Sequence, residues 1–410
     1  MLSEREKQWI RAHLSDDVRH LALQNSFPFP AGRKSFLLQQ IAGRQQIQNK
    51  IPSWYAMDEL VYPARLSLEQ CSSEQTAQYK ASLVAGDSLM DLTGGFGVDT
   101  IFMAPKFRQV DYVEKQCELA EIVQQNVKAL GLNQIQIHQQ DALDYLQRLP
   151  ETIDLIYLDP ARRSHSGEKI VRIEDCEPNV IEIQDLLLRK TRQVLLKLSP
   201  MLDIQSALNV LKNVQQVHVV SVENECKELL FLLQPDYQEE PAIICVNFRK
   251  KGNHPAVCFK RPEEKKRNIS HASHVRNYLY EPNSSILKAG YYKGITRKYS
   301  VEKLHPDSHL YTSDTFISDF PGRIFQVAGV FAPDKKELGA AGIYKANLAV
   351  RNFPLSVAEL RKKLNLKEGG EVYLFATTLA DGKRVLIAGN LFSDSIFPIQ
   401  NNVVSLYLEI

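Results

Sequence analysis

The chain has 410 residues, 44% of them hydrophobic, and its 50 Lys and Arg nearly balance its 48 Asp and Glu. This length predicts two or three domains, each with a buried core. The small net charge of +2 excludes a uniformly basic nucleic-acid-binding protein, so any surface that binds nucleic acid has to be local.

The cysteine, histidine and apolar patterns restrict the class of protein further. The six cysteines are scattered without a CxxC pair, which argues against a disulfide framework and a Cys-rich zinc site and fits a reducing compartment. No His and carboxylate cluster has the spacing of a metal site, so we expect no metal. No apolar run approaches the roughly 18 residues of a membrane span, and the N-terminus lacks the apolar core of a signal peptide. We therefore expect a cytoplasmic protein without a membrane partner.

The N-terminal part is predicted to be helical. Apolar residues recur at helical spacing over residues 1–60. Further on, Ser72 and Gln75 have the spacing of a capping box and predict that a helix starts there. The basic side chains of this region are interpreted as a solvated helix face or as a surface that contacts phosphates.

Strands and helices alternate from about residue 85 to residue 235, which predicts a parallel sheet with both faces covered. The predicted strands are 89–92, 109–113, 135–138, 153–158, 194–198, 217–222 and 229–233. The link between the last two is too short for a helical crossover, so these two strands are expected to pair antiparallel.

The C-terminal part changes character twice. Between Arg249 and Arg276 there are nine Lys or Arg and two Glu, with Pro255 and Pro262, which predicts an exposed linker or hairpin. After residue 281 new strands and a clear helix over 357–364 predict one or two small α/β units.

A glycine-rich turn follows the first predicted strand, in the segment Asp91-Leu92-Thr93-Gly94-Gly95-Phe96-Gly97-Val98-Asp99. Glycine lets the backbone approach a ligand closely, and such turns bind nucleotides at the carboxyl edge of parallel sheets. By itself the turn fits a dinucleotide site, an S-adenosylmethionine site or merely a tight strand-to-helix connection.

Acids at four predicted strand ends favour a nucleoside ligand. They are Asp91, Glu114, Asp141 and Asp159. An acid about 20 residues beyond a glycine turn can accept hydrogen bonds from ribose hydroxyls, and Glu114 has that place. Asp141 could accept from an adenine amino group, with the Ala142 N–H beside it. Asp91 lies beside the turn, near the end of the ligand that is opposite its nucleoside.

The order of the glycine-rich loop, Glu114, Asp141 and Asp159-Pro160 resembles class I S-adenosylmethionine-dependent methyltransferases over residues 67–235. The segments 91–99 and 154–160 are similar to small-subunit rRNA guanine-N2 methyltransferases. The full chain resembles bacterial methyltransferases, in particular Bacteroidetes proteins, with a ferredoxin-like insert and a THUMP-like C-terminal domain. THUMP modules bind RNA, so the resemblance implies an RNA partner, either rRNA or tRNA.

The resemblance implies a Rossmann-like α/β sheet of seven strands, mostly parallel with an antiparallel seventh strand, with N-terminal helices and a small C-terminal α/β module. The implied divisions are an N-terminal helical region (1–66), a methyltransferase domain (67–240), a basic linker or hairpin (241–280), a ferredoxin-like segment (281–325) and a THUMP-like domain (326–410).

It also implies a set of site residues, with S-adenosylmethionine as the methyl donor. The expected cofactor-binding residues are Ser72, Thr76, Asp91, Thr93, Gly94, Gly95, Phe96, Gly97, Asp99, Glu114, Lys115, Asp141 and Ala142. The expected catalytic residues are Asp159 and Pro160, and the expected substrate-binding residues are Arg162, Arg163 and Lys197.

The segment after Asp159 decides which substrate is expected. The two N–H groups of an exocyclic amine can donate hydrogen bonds to a carboxylate and to a backbone carbonyl. These bonds direct the lone pair of the amine toward the methyl group, and Asp159 and Pro160 suit this role. Enzymes of this kind have a second proline and then an aromatic residue, where this chain has Ala161 and Arg162. Methylation of an RNA base amine, with guanine N2 favoured, is the expected function. The alternatives are an RNA-binding protein with a degenerate cofactor pocket, or a methyltransferase for protein or a small molecule.

Overall fold

The structure is a computed structural model that describes residues 2–24, 26–149, 152–162, 172–250, 256–265 and 269–392. The chain divides into two compact units. The first comprises Met1–Gln215 and Leu230–Gln238, and the second comprises Gln216–Leu229 and Glu239–Ile410. In the described ranges no helix is both long and apolar enough to cross a membrane.

The first unit begins with helices and continues with alternating strands and helices. Its helices are α1 (Glu4–Ala12), α2 (Val18–Leu23), α3 (Lys34–Ile47), α4 (Pro52–Tyr55), α5 (Arg65–Gln70), α6 (Glu74–Ser82), α7 (Val98–Met103), α8 (Cys117–Ala129), α9 (Ala142–Arg148), α10 (Val180–Lys190) and α11 (Ile204–Val210). Its strands are β1 (Ser88–Asp91), β2 (Gln109–Val113), β3 (Ile135–His138), β4 (Ile153–Leu158), β5 (Ala161–Arg162), β6 (Cys176–Glu177) and β7 (Thr191–Leu198). Single 3₁₀ turns cover Ala31–Arg33, Ala104–Lys106 and Ile173–Asp175.

Five of these strands form a parallel sheet in the order β3-β2-β1-β4-β7. Leu89 of β1, Ile156 of β4 and Leu195 of β7 are all fully buried, as expected of a sheet that helices cover on both faces. The carboxyl ends of parallel strands lie at one edge, so the acids that follow β1, β2, β3 and β4 come to the same edge. The predicted parallel-rich α/β fold is confirmed.

The expected antiparallel pair is also present. Strands β8 (Val214–Val222) and β9 (Glu225–Leu233) are neighbours. Their two-residue link consists of Glu223 and Asn224, with φ of 49° and 62°. Two successive residues in the left-handed region form the kind of turn that reverses a strand, so β9 runs back along β8.

The second unit continues with mixed strands and helices. They are β10 (Ala242–Phe248), β11 (Val257–Lys260), α12 (Arg261–Lys265), β12 (Tyr278–Pro282), α13 (Ser284–Ala289), α14 (Gly294–Lys298), β13 (Glu302–Lys303), β14 (Tyr311–Ser313), β15 (Gly322–Phe331), α15 (Lys335–Ala340), β16 (Lys345–Arg351), α16 (Val357–Leu364), β17 (Lys367–Thr378) and β18 (Arg384–Leu391). A sheet in the order β13-β14-β12-β15-β18-β17-β16 forms most of this unit. Its buried core includes Leu279, Phe325, Phe375 and Ile387.

Residues 242–248, at the start of the segment predicted to be an exposed linker or hairpin, pair antiparallel with β11 as one strand of a hairpin would, but they are not exposed. This segment is strand β10, which pairs parallel with β8 and antiparallel with β11. Ile243 and Ile244 are 1% and 5% exposed. The apolar run from Ile243 to Val246 therefore determines the structure here, although the residues that follow it are strongly basic.

Candidate functional site

The glycine-rich turn is held against the end of β2. The Gly94 N–H donates to the Val113 carbonyl at 3.0 Å, and the Tyr112 hydroxyl donates to the Gly95 carbonyl at 2.5 Å. A Cβ atom on Gly94 would lie 2.2 Å from Cε2 of Tyr112, so only glycine fits there. Gly97 has a φ of 75° and caps α7, a conformation that glycine adopts at little cost.

Asp91 is buried beneath this turn, with 1% exposure. Its Oδ1 accepts from the Thr93 N–H at 2.9 Å, and its Oδ2 accepts from the Thr100 hydroxyl. Burial raises the pKa of Asp91 to about 7, although these hydrogen bonds favour the ionised form. The contacts make Asp91 the residue that joins the two ends of the turn.

Glu114 lies directly after β2 and is 8% exposed. Its Oε2 accepts from the Gly95 N–H at 2.8 Å, and its Oε1 accepts from the Gln116 N–H at 2.8 Å. Two backbone donors thus fix the orientation of the carboxylate beside the glycine turn. The neighbouring Lys115 points elsewhere, to an exposed ion pair with Glu177 at 2.9 Å.

Asp141 follows β3 and caps α9. Its Oδ1 accepts from the N–H groups of Leu143 and Asp144 at 2.8 and 3.3 Å. Ala142 is the first residue of the helix. Capping accounts for these contacts, and the exposed carboxylate still lies at the same sheet edge as Glu114.

Asp159 follows β4, and 38% of its side chain is accessible, whereas Asp91 and Glu114 are buried. Its N–H donates to the Thr93 hydroxyl at 2.6 Å, which joins the end of β4 to the glycine turn. Its Oδ2 accepts from Lys197 Nζ at 2.5 Å. Pro160, the next residue, is buried.

A buried ion-pair cluster lies behind Asp159, and sequence reasoning missed two of its members, Lys80 and Tyr157. Asp99 Oδ2 accepts from the Ser72 and Tyr157 hydroxyls at 2.8 and 2.6 Å. Asp99 Oδ1 lies 3.3 Å from Nζ of Lys80, which is fully buried. Lys197 Nζ lies 3.7 Å from Asp99 Oδ2.

The charges of this cluster balance each other. Burial alone would raise the pKa of Asp99, but the ammonium groups of Lys80 and Lys197 hold it below its ordinary value. Asp99 is therefore a buried carboxylate between two cations. The only sequence signal for Lys80 was its place on α6, directly before the first strand.

The helix α6 starts one residue later than predicted. Ser73, and not Ser72, is its N-cap, and it accepts from the Thr76 N–H at 3.3 Å. The Ser72 hydroxyl instead donates to Asp99 Oδ2 at 2.8 Å. Thr76 is 3% exposed, and its hydroxyl donates to the Ser73 carbonyl at 3.1 Å.

Two further predicted residues have surroundings of a different kind. The ring of Phe96 is buried against Trp54, edge to face with 5.3 Å between centroids, so only its backbone belongs to the open side of the turn. The backbone of Arg162 pairs with Cys176 in the ribbon formed by β5 and β6. Arg163 lies outside the described residues. Among the described side chains, no group of three or more His, Cys, Asp or Glu is arranged to hold a metal.

Comparisons with known proteins identify relatives of the whole chain and of its C-terminal part. A candidate methyltransferase from Porphyromonas gingivalis W83 has 33% sequence identity and a TM-score of 0.86, and the match covers 96% of this chain and 100% of that one. Family models match a ferredoxin-like domain at residues 278–321 and a THUMP domain-like module at residues 322–390. No curated protein matches.

Smaller solved structures match a part of the chain. An rRNA methylase from Streptococcus thermophilus has 14% identity and a TM-score of 0.30, and covers 39% of this chain and 94% of its own. A candidate methyltransferase from Streptococcus mutans, in complex with SAH, has 13% identity and a TM-score of 0.29, and covers 39% and 96%. With TM-scores this low, they carry no argument about the substrate.

Proposed function

The chain belongs to the class I S-adenosylmethionine-dependent methyltransferases with a ferredoxin-like segment and a THUMP-like C-terminal domain, and on this premise we propose that it methylates an exocyclic amine of an RNA base, with guanine N2 favoured. One observation carries the proposal. The Asp159 carboxylate lies at the end of β4, its backbone is bonded to the glycine turn through Thr93, and its Oδ2 is bonded to Lys197.

The residues at the sheet edge fit S-adenosylmethionine. Within 4 Å, a Cβ atom built on Gly95 would meet only the Thr93 carbonyl, at 3.7 Å, so the turn is open to a ligand on this side. Glu114 would hold the ribose hydroxyls and Asp141 with Ala142 the adenine. The methionine part would lie along the glycine turn, where the backbone can approach the ligand closely because no large side chain covers the open side.

The protein's own contribution is to orient the amine. When bound, S-adenosylmethionine would supply an electrophilic methyl group: the bond between the amine nitrogen and the methyl carbon forms as the sulfur–methyl bond breaks, S-adenosylhomocysteine leaves, and the nitrogen loses a proton to water. The lone pair of a base amine is delocalised into the ring, so it has to be localised on the nitrogen and directed at the methyl carbon. The two N–H groups of the amine would donate hydrogen bonds to Asp159 Oδ1 and to the Pro160 carbonyl. Oδ1 takes this role because Oδ2 of Asp159 already accepts from Lys197. Proline fixes the local backbone and hence the direction of its carbonyl.

RNA is proposed as the partner on the strength of two features. The THUMP domain-like match covers residues 322–390, and the segment 249–276 is strongly basic. Basic segments bind phosphates without reading sequence, so they would supply affinity and orientation. The RNA itself, rRNA or tRNA, would be selected by surfaces away from Asp159.

A second candidate is a methyltransferase whose acceptor is not a base. It is favoured by Ala161 and Arg162, which stand where enzymes for base amines have proline and an aromatic side chain. Without that aromatic residue no ring stacks on the base from this position. A third possibility, an RNA-binding protein without turnover, requires that S-adenosylmethionine does not bind at all.

Cofactor binding is tested first. Calorimetry with S-adenosylmethionine should show binding by the unaltered protein, and Glu114→Ala should weaken it by about 10-fold or more, because the loss of charged hydrogen bonds costs about 1.5–3 kcal/mol. The matched control is Glu118→Ala, which removes an exposed acid from the first turn of α8. No heat with the unaltered protein would refute the enzyme, and equal affinity in both variants would remove Glu114 from the ribose site.

The acceptor is tested by mass spectrometry of nucleosides from RNA of cells with and without the gene. A methylated guanosine present only with the gene supports the proposal. In vitro, Asp159→Ala should remove turnover while largely sparing cofactor affinity, whereas Asp185→Ala, at an exposed acid paired with Lys212, should have no effect. An unchanged nucleoside profile, with cofactor binding intact, would favour the second candidate.

A further inference from the structure

We propose that Lys197 is a positioning residue of the active site: its ammonium fixes Asp159 Oδ2, so that Oδ1 is presented to the substrate amine. This inference rests on the proposed function, because it assigns Lys197 to the orientation of the acid and not to contact with RNA. The two groups are 2.5 Å apart.

The register of the sheet brings Lys197 and Asp159 together. Leu158 of β4 pairs with Leu196 of β7 in parallel, so the residues that follow them, Asp159 and Lys197, are neighbours at the carboxyl edge. The lysine side chain is 12% exposed and the aspartate side chain 38%. The lysine thus approaches the carboxylate from the protein side, while the accessible side of the carboxylate is left for a ligand.

Lys197 is itself held in place from behind. Its Nζ lies 3.3 Å from the Ser72 hydroxyl and 3.7 Å from Asp99 Oδ2. Asp99 in turn is fixed by the Tyr157 hydroxyl and by the fully buried Lys80. The ammonium of Lys197 thus has three oxygen partners, on Ser72, Asp99 and Asp159, which leave it little freedom to move. The Asp159 carboxylate is therefore bonded to a group that is itself fixed.

Such rigidity matters because the reaction requires a narrow geometry. A lone pair has to point at the methyl carbon from about 3–3.5 Å, and a misplacement of 1 Å costs about 10²-fold in rate. A carboxylate on a strand end, held only by its own backbone, could rotate about χ1 and χ2. The bond to Lys197 removes that rotation before the substrate arrives.

The rival explanation is that Lys197 only compensates the buried charge of Asp99. In that case its loss would lower stability and leave the rate of the folded enzyme unchanged. Lys197→Met removes the charge and keeps the length of the side chain, and Lys197→Arg restores a cation. The control is Lys212→Met, at an exposed lysine that also pairs with an acid, Asp185, at 2.8 Å.

Kinetics separate the two explanations. For Lys197→Met we expect kcat to fall about 10²-fold, while KM for RNA and the affinity for S-adenosylmethionine change less than about threefold. Lys197→Arg should recover part of kcat, and Lys212→Met should leave kcat unchanged. Unchanged kcat in folded Lys197→Met would overturn the inference, and a KM increase at constant kcat would assign Lys197 to RNA binding.

A spectroscopic measurement tests the pair without turnover. In ¹⁵N-lysine-labelled protein the ammonium signal of Lys197, identified by its loss in Lys197→Met, should shift in Asp159→Asn and stay in place in Asp185→Asn. An unmoved signal would refute the pair. If the signal shifts but no RNA is methylated, the proposed function fails while the pair stands. If RNA is methylated and Lys197→Met is fully active, only this inference fails.

Discussion

Substitution of Asp91 by Asn should change how the stability of the first unit depends on pH. Asp91 is 1% exposed, and burial raises its pKa from 3.8 to about 7. Asparagine has nearly the same shape: its carbonyl can accept from the Thr93 N–H, and its amide can donate to the Thr100 hydroxyl. The variant therefore keeps the turn and removes the titration.

The sign follows from proton binding in the two states. Because the folded state holds the proton of Asp91 more tightly than the unfolded state, the carboxyl stabilises the fold at low pH. That contribution is lost as the pH rises through about 7. At 1.36 kcal/mol per pH unit, the free energy of unfolding of the unaltered protein should fall relative to Asp91→Asn by about 3 kcal/mol between pH 5 and pH 8.

Tryptophan fluorescence during urea unfolding can report this difference for the first unit alone. Both tryptophans of the chain, Trp9 and Trp54, belong to it. The control is Asp87→Asn, next to the start of the same strand, where the side chain is 75% exposed. A difference between Asp91→Asn and the unaltered protein that is constant with pH, or that grows in the opposite direction, would refute a buried, protonatable Asp91.

Two further substitutions test how the turn and the helices are held. Gly94→Ala places a Cβ atom 2.2 Å from the Tyr112 ring and should lower the free energy of unfolding by about 1–3 kcal/mol in the same assay. Gly32→Ala, with open space around it, should leave it unchanged. Equal stability of the two variants would mean that the Tyr112 ring moves aside. Asn126→Ala removes both bonds that its buried amide makes with the Val61 N–H and C=O, at 2.8 and 2.9 Å, and should lower stability by about 2–4 kcal/mol; a loss below 1 kcal/mol would show that water replaces them.

Sequence patterns predicted the sheet well because its strands are short, apolar and bounded by clear breaks. The segments 109–113 and 153–158 are strands with those bounds. Both have buried residues nearly throughout, as strands covered on both faces require. Since the strands are parallel, the acids that follow them had to meet at one edge, and Glu114 and Asp159 do lie beside the glycine turn.

The patterns failed where one residue had two possible partners. Ser72 and Ser73 are both suitable caps for α6, and the chain uses Ser73, while the Ser72 hydroxyl donates to Asp99, 27 residues further on. Likewise, the basic residues after Phe248 suggested an exposed linker or hairpin; β10 does pair antiparallel with β11, but its burial depends on its pairing with β8, which sequence spacing does not reveal.

The buried Lys80 shows most clearly what a local pattern leaves out. A lysine on a short helix is ordinarily a solvated residue, yet this one is fully buried because Asp99 lies 3.3 Å away. A buried ion pair seldom adds stability over apolar side chains of the same size, and breaking one is costly. The pair is therefore better explained by what it positions. Asp99 stands at the start of α7, directly after the glycine turn, and through Lys197 its charge reaches Asp159. The acid that closes the glycine-rich motif thus joins the turn to the strand end where the amine is proposed to be held.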